Sequence, residues 1–362
     1  MRILHTESSL GWGGQEIRVL TEARGVAGCG HDVTIAAPPE ARIYEAAADY
    51  GIGRIALPIG RKGLRGLAAM REALARARYD VVNTHSSTDS WLAAVACRLA
   101  EPRPAIVRTR HISAPVPRNA TTRWLYRQAA HTVTTGEKLR LQVIDEAALD
   151  PARVTSIPTG IDLERFRPGD RRDARARVNL PADAAIVGIV ATLRSWKGHA
   201  FLLEACAGIA DPGLVLVIVG DGPQRSALEQ KAHALGIAGR VRFVGNQADV
   251  APWMQAFDLF CLPSYANEGV PQALAQAMAC GLPVITTPVG SIEELVANGR
   301  TGVIVPPSDA QALRQAIEAL LADGPRQRAL GAAALAHAQA HLGEAAMVEA
   351  MLRVFTAAAA RR

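Results

Sequence analysis

The stretch Glu268-Gly269-Val270-Pro271-Gln272-Ala273-Leu274-Ala275-Gln276-Ala277-Met278-Ala279-Cys280-Gly281-Leu282-Pro283-Val284-Ile285 sets a carboxylate at a loop-to-helix junction directly ahead of an apolar strand pattern. Pro271 suits the first helical position and Gly281 the residue just past a helix end, so the spacing predicts a helix from Pro271 to Ala279. The amino end of such a helix carries free N–H groups and the positive end of the dipole, and both favour an anion. Gly269, Val270 and Gln272 are the expected donors, because proline has no N–H. A carboxylate at Glu268 suits a ligand that presents hydroxyls as well as phosphate. The alternative is a capping Glu on an ordinary α/β helix.

Outward from this segment, short apolar runs alternate with helical patterns along the whole chain, which points to parallel sheets with helices on both faces. In the first half the expected strands are Arg2 to His5, Asp32 to Ala36, Val81 to Thr84, Ala105 to Arg108, Thr132 to Thr134 and Val154 to Ile157. In the second they are Ile186 to Thr192, Leu214 to Val219, Val241 to Val244, Leu259 to Leu262, Val284 to Thr286 and Gly302 to Val305. Pro158, Gly160, Pro168 and Gly169 punctuate a polar stretch between the two sets. The expected fold class is α/β, with two doubly wound Rossmann-like domains over residues 1–164 and 165–345. A last helix at about 346–362 is expected to pack back on the first domain. Ligands bind beyond the carboxyl ends of such strands, so two facing sheets would form a cleft.

Five cysteines, at 29, 97, 206, 261 and 280, form no Cys-x-x-Cys pair and sit among small or apolar neighbours, which reads as reduced, buried thiols in a cytosolic protein. The amino terminus enters a strand pattern without a signal-peptide run, and no apolar stretch approaches the roughly 20 residues of a membrane span. A cytoplasmic protein is expected, free or attached to a membrane surface. The net charge of +6 permits an acidic partner. Arg61, Lys62, Arg65, Arg71, Arg76 and Arg78 cluster with Leu64, Leu67, Met70 and Leu74 at helical spacing. Such a segment either lies on anionic lipid or packs on its own sheet with a solvated basic face. Nucleic acid is disfavoured, since no stacking aromatics interleave these charges.

Several strand ends carry candidate chemistry. Gly11-Trp12-Gly13-Gly14 follows the first strand, and adjacent glycines let backbone approach a ligand or simply make a tight turn. Neither the dinucleotide nor the P-loop fingerprint is present. His85 and His111 each end a predicted strand, without a partner at zinc-ligand spacing. Arg194 and Lys197, in Thr192-Leu193-Arg194-Ser195-Trp196-Lys197-Gly198, could stabilise a leaving diphosphate. No Asp-x-Asp pair is available to hold a divalent cation, so no metal or other cofactor is expected. Gly220-Asp221-Gly222-Pro223 and Phe243-Val244-Gly245 end two further strands, either as plain turns or, at Val244, as a shelf beside a base.

In this order and spacing, Gly13-Gly14, the strand-end histidine, Arg194 and Lys197-Gly198, Gly220 to Pro223, Phe243 to Gly245, and Glu268 through Pro283 resemble the family 4 retaining glycosyltransferases of the GT-B fold. Pro158 to Asp162 resembles that family's interdomain entry. The resemblance runs from Gly13 to about Leu313. It implies a nucleotide-diphospho-sugar co-substrate held mainly by the carboxyl-terminal domain and an acceptor held mainly by the amino-terminal one. It also implies that Lys197 and Arg194 bind the diphosphate, that Glu268 bonds donor-sugar hydroxyls, and that Gly269, Val270 and Gln272 offer N–H groups to phosphate. Gly220, Gly222 and Val244 belong with the donor site; Gly13 and Gly14 approach the donor phosphate, and His85 lies near the reacting sugar. His111 is a candidate for the same region, on the acceptor side.

Retention in this family is described as front-face displacement, which needs no opposite-face nucleophile and fits a chain lacking an obvious glycosidase-type carboxylate pair. Two positions depart from the family pattern. Gln276 stands where a ribose-binding Glu is usual, and an amide can still bond a hydroxyl. Thr192 replaces the usual Arg before Lys-Gly, leaving Arg194 to compensate. The expected activity is metal-independent transfer to a glycan or lipid-linked acceptor in surface polysaccharide or lipopolysaccharide assembly. The competing readings are a nucleotide-sugar epimerase of the same fold and a catalytically silent sugar-binding partner subunit.

Overall fold

The computed structural model describes residues 1–112, 114–266 and 268–361, so Arg362, the last residue of the expected carboxyl-terminal helix, lies outside them. The chain divides into one unit of Met1–Gly160 with Glu344–Arg362 and a second of Ile161–Gly343.

Among the described residues, the first unit holds seven parallel strands: β1 (Arg2–Thr6), β2 (Asp32–Ala37), β3 (Gly53–Ala56), β4 (Val81–Thr84), β5 (Ala105–Arg110), β6 (His131–Thr134) and β7 (Val154–Ser156). Their order is β3-β2-β1-β4-β5-β6-β7. Residues alternate between the two faces. Ile3, Val81 and Val107 join one core layer, whereas Leu4, Val82 and Ile106 join the other, as a buried parallel sheet requires. The first layer is closed by helices Gly14–Gly28 and Glu344–Ala359. Met347, Val348, Met351, Val354, Phe355 and Ala358 are the buried positions of the latter, spaced as one helical face. Gly25 lets the two helices approach, since a Cβ there would lie 2.3 Å from Val348 Cγ2. Each fully buried large side chain on this face contributes about 1.5–3 kcal/mol.

The second unit holds β8 (Ile186–Val190), β9 (Val215–Val219), β10 (Val241–Gly245), β11 (Leu259–Leu262), β12 (Val284–Thr286) and β13 (Val303–Ile304), in the order β10-β9-β8-β11-β12-β13. All paired strands in it are parallel. In both sheets the strand order reverses beside the first strand, between β1 and β4 in one unit and between β8 and β11 in the other. Those reversals are the crevices where doubly wound sheets bind ligands.

Three differences from the sequence-based expectations have local causes. β3 was not expected, because Gly53-Arg54-Ile55-Ala56 is an edge strand with a largely exposed face and no apolar run. The helix after Glu268 starts at Gln272, with Pro271 extended at φ −68°, ψ 117° as the residue before it. Cys29 is exposed because it caps a helix end, whereas the other four cysteines are buried. Burial pushes the thiols of Cys97, Cys206 and Cys280 up to about 12. Of the two readings of the basic segment, internal packing takes the apolar stripe: Met70 and Leu74 of helix Leu64–Arg76 are buried against their own unit. Leu64 alone stays 85% exposed.

Candidate active site

In the second unit, the segments leaving β8 and β11 are tied together at the sheet reversal. Tyr265 N donates to Trp196 O at 2.8 Å. Gly198 takes φ +76°, and a Cβ there would lie 1.9 Å from Pro263 O, so glycine is required for the two segments to meet. Their meeting brings Lys197 Nζ to 2.6 Å from Glu268 Oε1. Ser264 Oγ donates to the same oxygen at 2.6 Å. Glu268 is buried, and Lys197 keeps 20% of its side-chain surface. A buried carboxylate is tolerable here because it is both ion-paired and hydrogen-bonded.

The Glu268 backbone is held from behind by Gly290, at φ +63°, where a Cβ would fall 2.0 Å from Glu268 O. Ser291 N also donates to Gly269 O at 3.2 Å. Just beyond, helix Gln272–Ala279 begins, and its first-turn N–H groups have no intrahelical acceptor. Lys197, Glu268, Gly269, Val270 and Gln272 are therefore gathered in one place. Gln276 lies on the first turns of that helix and is buried. Arg194 is exposed at the cap of the short helix Ser195–Lys197, with its guanidinium 5.7 Å from the Trp196 ring centre.

Gly220 and Gly222 serve chain packing directly. A Cβ at Gly220 would meet Ala191 O at 2.1 Å, and one at Gly222 would meet Leu193 O at 2.7 Å. The turn they form is bonded to the β8 exit, with Leu193 N donating to Asp221 O at 3.0 Å. Val244 is half-buried near the end of β10, with Gln247 Nε2 donating to its carbonyl at 2.7 Å. His199, next to this group, is buried, and burial first and the Lys197 charge second lower its pKa to about 4.

In the first unit, Gly13 caps helix Gly14–Gly28 in extended conformation, so the adjacent glycines form the loop ahead of that helix. His85 and His111 come together, but not as two independent ring ends. His85 Nε2 lies 2.9 Å from His5 Nδ1, and His85 Nδ1 lies 3.0 Å from His111 Nε2. His85 is thus the middle ring, with both nitrogens engaged, and the half-buried His111 is the outer one.

Beside this row lies a buried acidic group that sequence reasoning missed. Asp89 Oδ2 accepts from Thr6 Oγ1 at 2.8 Å and from His85 N at 2.9 Å, while Oδ1 accepts from Ser86 N at 2.9 Å. Ser86 Oγ donates to Glu7, which Gln15 Nε2 also meets at 2.5 Å. Burial, and secondarily Glu7, raises Asp89 to about 7. Capping-box spacing around Ser86 and Asp89 was the available sequence signal. No sequence pattern marked the link of Glu7 to Ser86 or of His5 to His85, 79 and 80 residues away.

Among the described residues, no group of three His, Cys, Asp or Glu side chains is placed to hold a metal ion. No helix among them is long and apolar enough to cross a membrane.

Two family models match the chain: Glycosyltransferase Family 4 over residues 12–165 and Glycosyl transferases group 1 over residues 170–337. The D-inositol 3-phosphate glycosyltransferase of Mycobacterium tuberculosis is 33% identical over 286 residues, which cover 72% of this chain and 58% of that protein. The chain thus spans less than two thirds of the length of that relative. Among solved structures, Anabaena HepE in complex with UDP matches with a TM-score of 0.87 at 21% identity, over 98% of this chain and 100% of that one. WaaG, a glycosyltransferase involved in lipopolysaccharide biosynthesis, matches with a TM-score of 0.74 at 19% identity, over 98% and 99% of the two chains. At these identities the two structures establish a shared fold.

Proposed function

We propose, from the match of a Family 4 model to its amino-terminal part and of a group 1 model to its carboxyl-terminal part, that the chain is a GT-B glycosyltransferase and transfers a sugar from a nucleotide-diphospho-sugar to a glycan or lipid-linked acceptor. The observation that carries this reading is the Lys197–Glu268–Ser264 group beside the amino end of helix Gln272–Ala279. Cation, helix end and carboxylate together suit a ligand with a diphosphate at one side and hydroxyls at the other.

In this reading the second unit holds the donor. Lys197 and Arg194 offset the charge that builds on the leaving diphosphate, aided by the N–H groups of Gly269, Val270 and Gln272. The Lys197 and Ser264 contacts both use Glu268 Oε1, which leaves Oε2 for a sugar hydroxyl. Gln276 bonds the ribose as an amide, and Val244 lies near the base. Gly220 and Gly222 shape the donor site through their turn. From the first unit, Gly13 and Gly14 approach the donor phosphate, His85 lies near the reacting sugar, and His111 is assigned to the acceptor side. Transfer proceeds with retention, by front-face displacement in which the leaving phosphate takes the acceptor's proton. Charge balance comes from protein groups, so no divalent cation takes part.

HepE has been solved in complex with UDP-glucose, and WaaG is described as acting in lipopolysaccharide biosynthesis. These favour a UDP-sugar donor and a lipid-linked glycan acceptor in surface polysaccharide or lipopolysaccharide assembly. A cytoplasmic location, at the inner membrane surface where such acceptors are presented, follows from that assignment. Contact with anionic lipid would rest on Leu64 and its basic neighbours, since Met70 and Leu74 are committed to the core. Transfer from an α-linked donor should yield an α-linked product by NMR, with undiminished rate in EDTA. A β-linked product would overturn retention, a metal requirement would overturn the cation-free balance, and release of an epimerised sugar without acceptor would favour the epimerase.

A further inference from the structure

Burial keeps the three imidazoles of this row neutral: it lowers His5 to about 3 and His85 and His111 well below the ordinary range. Arg18 adds repulsion at His85 and His111. Each neutral ring carries a single N–H, so three hydrogens serve six nitrogens. Two hydrogens lie in the contacts between rings, at 2.9 and 3.0 Å. The third must sit at one end of the row, on His5 Nε2 or on His111 Nδ1.

The two ends differ. His5 Nε2 is buried without a hydrogen-bond partner, and the ring packs edge-to-face with Phe355, 6.1 Å between centres. A hydrogen placed there would be a donor with no acceptor, which folded proteins avoid more strictly than a bare lone pair. The charged neighbours do not supply that acceptor. Arg18 can only donate, and its Nη1 does so to Ile157 O and Thr159 Oγ1. Glu22 Oε1 accepts from Asn83, and its Oε2, 3.7 Å from Arg18 Nε, makes no hydrogen bond, to His5 Nε2 included.

We propose that His5 is a positioning residue that sets the direction of this row: His5 Nδ1–H donates to His85 Nε2, His85 Nδ1–H donates to His111 Nε2, and His111 therefore presents Nδ1–H outward. The outer ring is then a hydrogen-bond donor toward a ligand oxygen and does not act as a base. What that donor meets, a sugar hydroxyl or a phosphate oxygen, rests on the transferase reading; the arrangement of hydrogens does not.

Ring-nitrogen NMR on the full chain labelled with 15N-histidine tests this without substrate. At pH 7.5, three neutral rings are expected, with Nδ1–H at both His5 and His111, each in about tenfold or greater excess over the other tautomer. His5→Phe removes the donor to His85, and the His111 hydrogen should then divide between its two nitrogens. His5→Asn, which keeps an amide N–H near the Nδ1 position, should restore the original preference. Nε2–H at His5 in the unmodified protein would overturn the proposal, as would a His111 spectrum unmoved by a folded His5→Phe variant. Should that variant not fold, the spectrum of the unmodified protein decides alone. The predicted tautomers in a protein that turns over no nucleotide sugar would support the row and count only against the transferase reading.

Discussion

Lys197 and Glu268, 71 residues apart, meet at 2.6 Å where the segments leaving β8 and β11 cross. Because the carboxylate is buried and shares Oε1 between Lys197 and Ser264, its removal changes charge and geometry together. Glu268→Gln keeps the shape and loses the charge. Donor turnover should fall by about 100-fold or more, as for other preorganised electrostatic groups, with an unchanged circular-dichroism spectrum. Turnover within a few-fold of the unmodified protein would remove Glu268 from the site.

Gly290 tests how the Glu268 backbone is held. Gly290→Ala adds a methyl 2.0 Å from Glu268 O at φ +63°. Gly236→Ala is the control, since Gly236 has φ +71° and no atom within 4 Å of the added carbon. Both pay left-handed backbone strain of roughly 1 kcal/mol or more. Only the first must also push the Glu268 segment aside, so it should lower Tm further and weaken nucleotide binding in calorimetry. Equal effects of the two would show that the contact relaxes without moving the site.

Much of the fold was legible because it rests on local pattern. Apolar runs ending in polar turns marked every strand except β3, whose exposed edge residues carry no such run. The Glu268 segment was legible for the same reason, its Pro and Gly bounding a helix that the structure places within one residue. Contacts that depend on which strands become neighbours left no local trace. His5 read only as part of a strand, and neither Glu7 nor its link to Ser86 could be seen until β1 and β4 were paired. Gly220 and Gly222 read as ligand-side glycines, yet the atoms crowding them belong to Ala191 and Leu193.

His199 predicts a pH dependence of stability with a definite sign. Its folded pKa, about 4, lies below the ordinary imidazole value of 6.5, so the unfolded chain binds more protons between those values. The stability it contributes is present above about pH 6.5 and is lost as pH falls toward 4. In denaturant titrations the stability difference between the unmodified protein and His199→Asn should shrink by about 1.4 kcal/mol per pH unit in that window. A difference constant from pH 7.5 to 5 would mean that His199 is not held neutral by the fold.

The exposed Leu64, with Arg61, Lys62 and Arg65 also exposed beside it, predicts weak binding to anionic lipid. Each basic residue near such a surface contributes about 1 kcal/mol. Sedimentation with phosphatidylglycerol vesicles should capture the protein at low salt, less at high salt, and less again for Leu64→Glu. Equal partition onto neutral phosphatidylcholine vesicles, or none onto either, would remove lipid contact and leave the sugar chemistry untouched.

The donor assignment is decided by incubating the purified chain with a panel of nucleotide sugars, UDP-sugars first, and measuring nucleoside diphosphate release together with thermal stabilisation. At least one donor should stabilise the protein and be slowly turned over in EDTA, with both effects lost in a folded Glu268→Ala variant. If no nucleotide sugar stabilises the protein or is consumed, the chain is a silent subunit and the roles assigned to Lys197 and Glu268 are wrong.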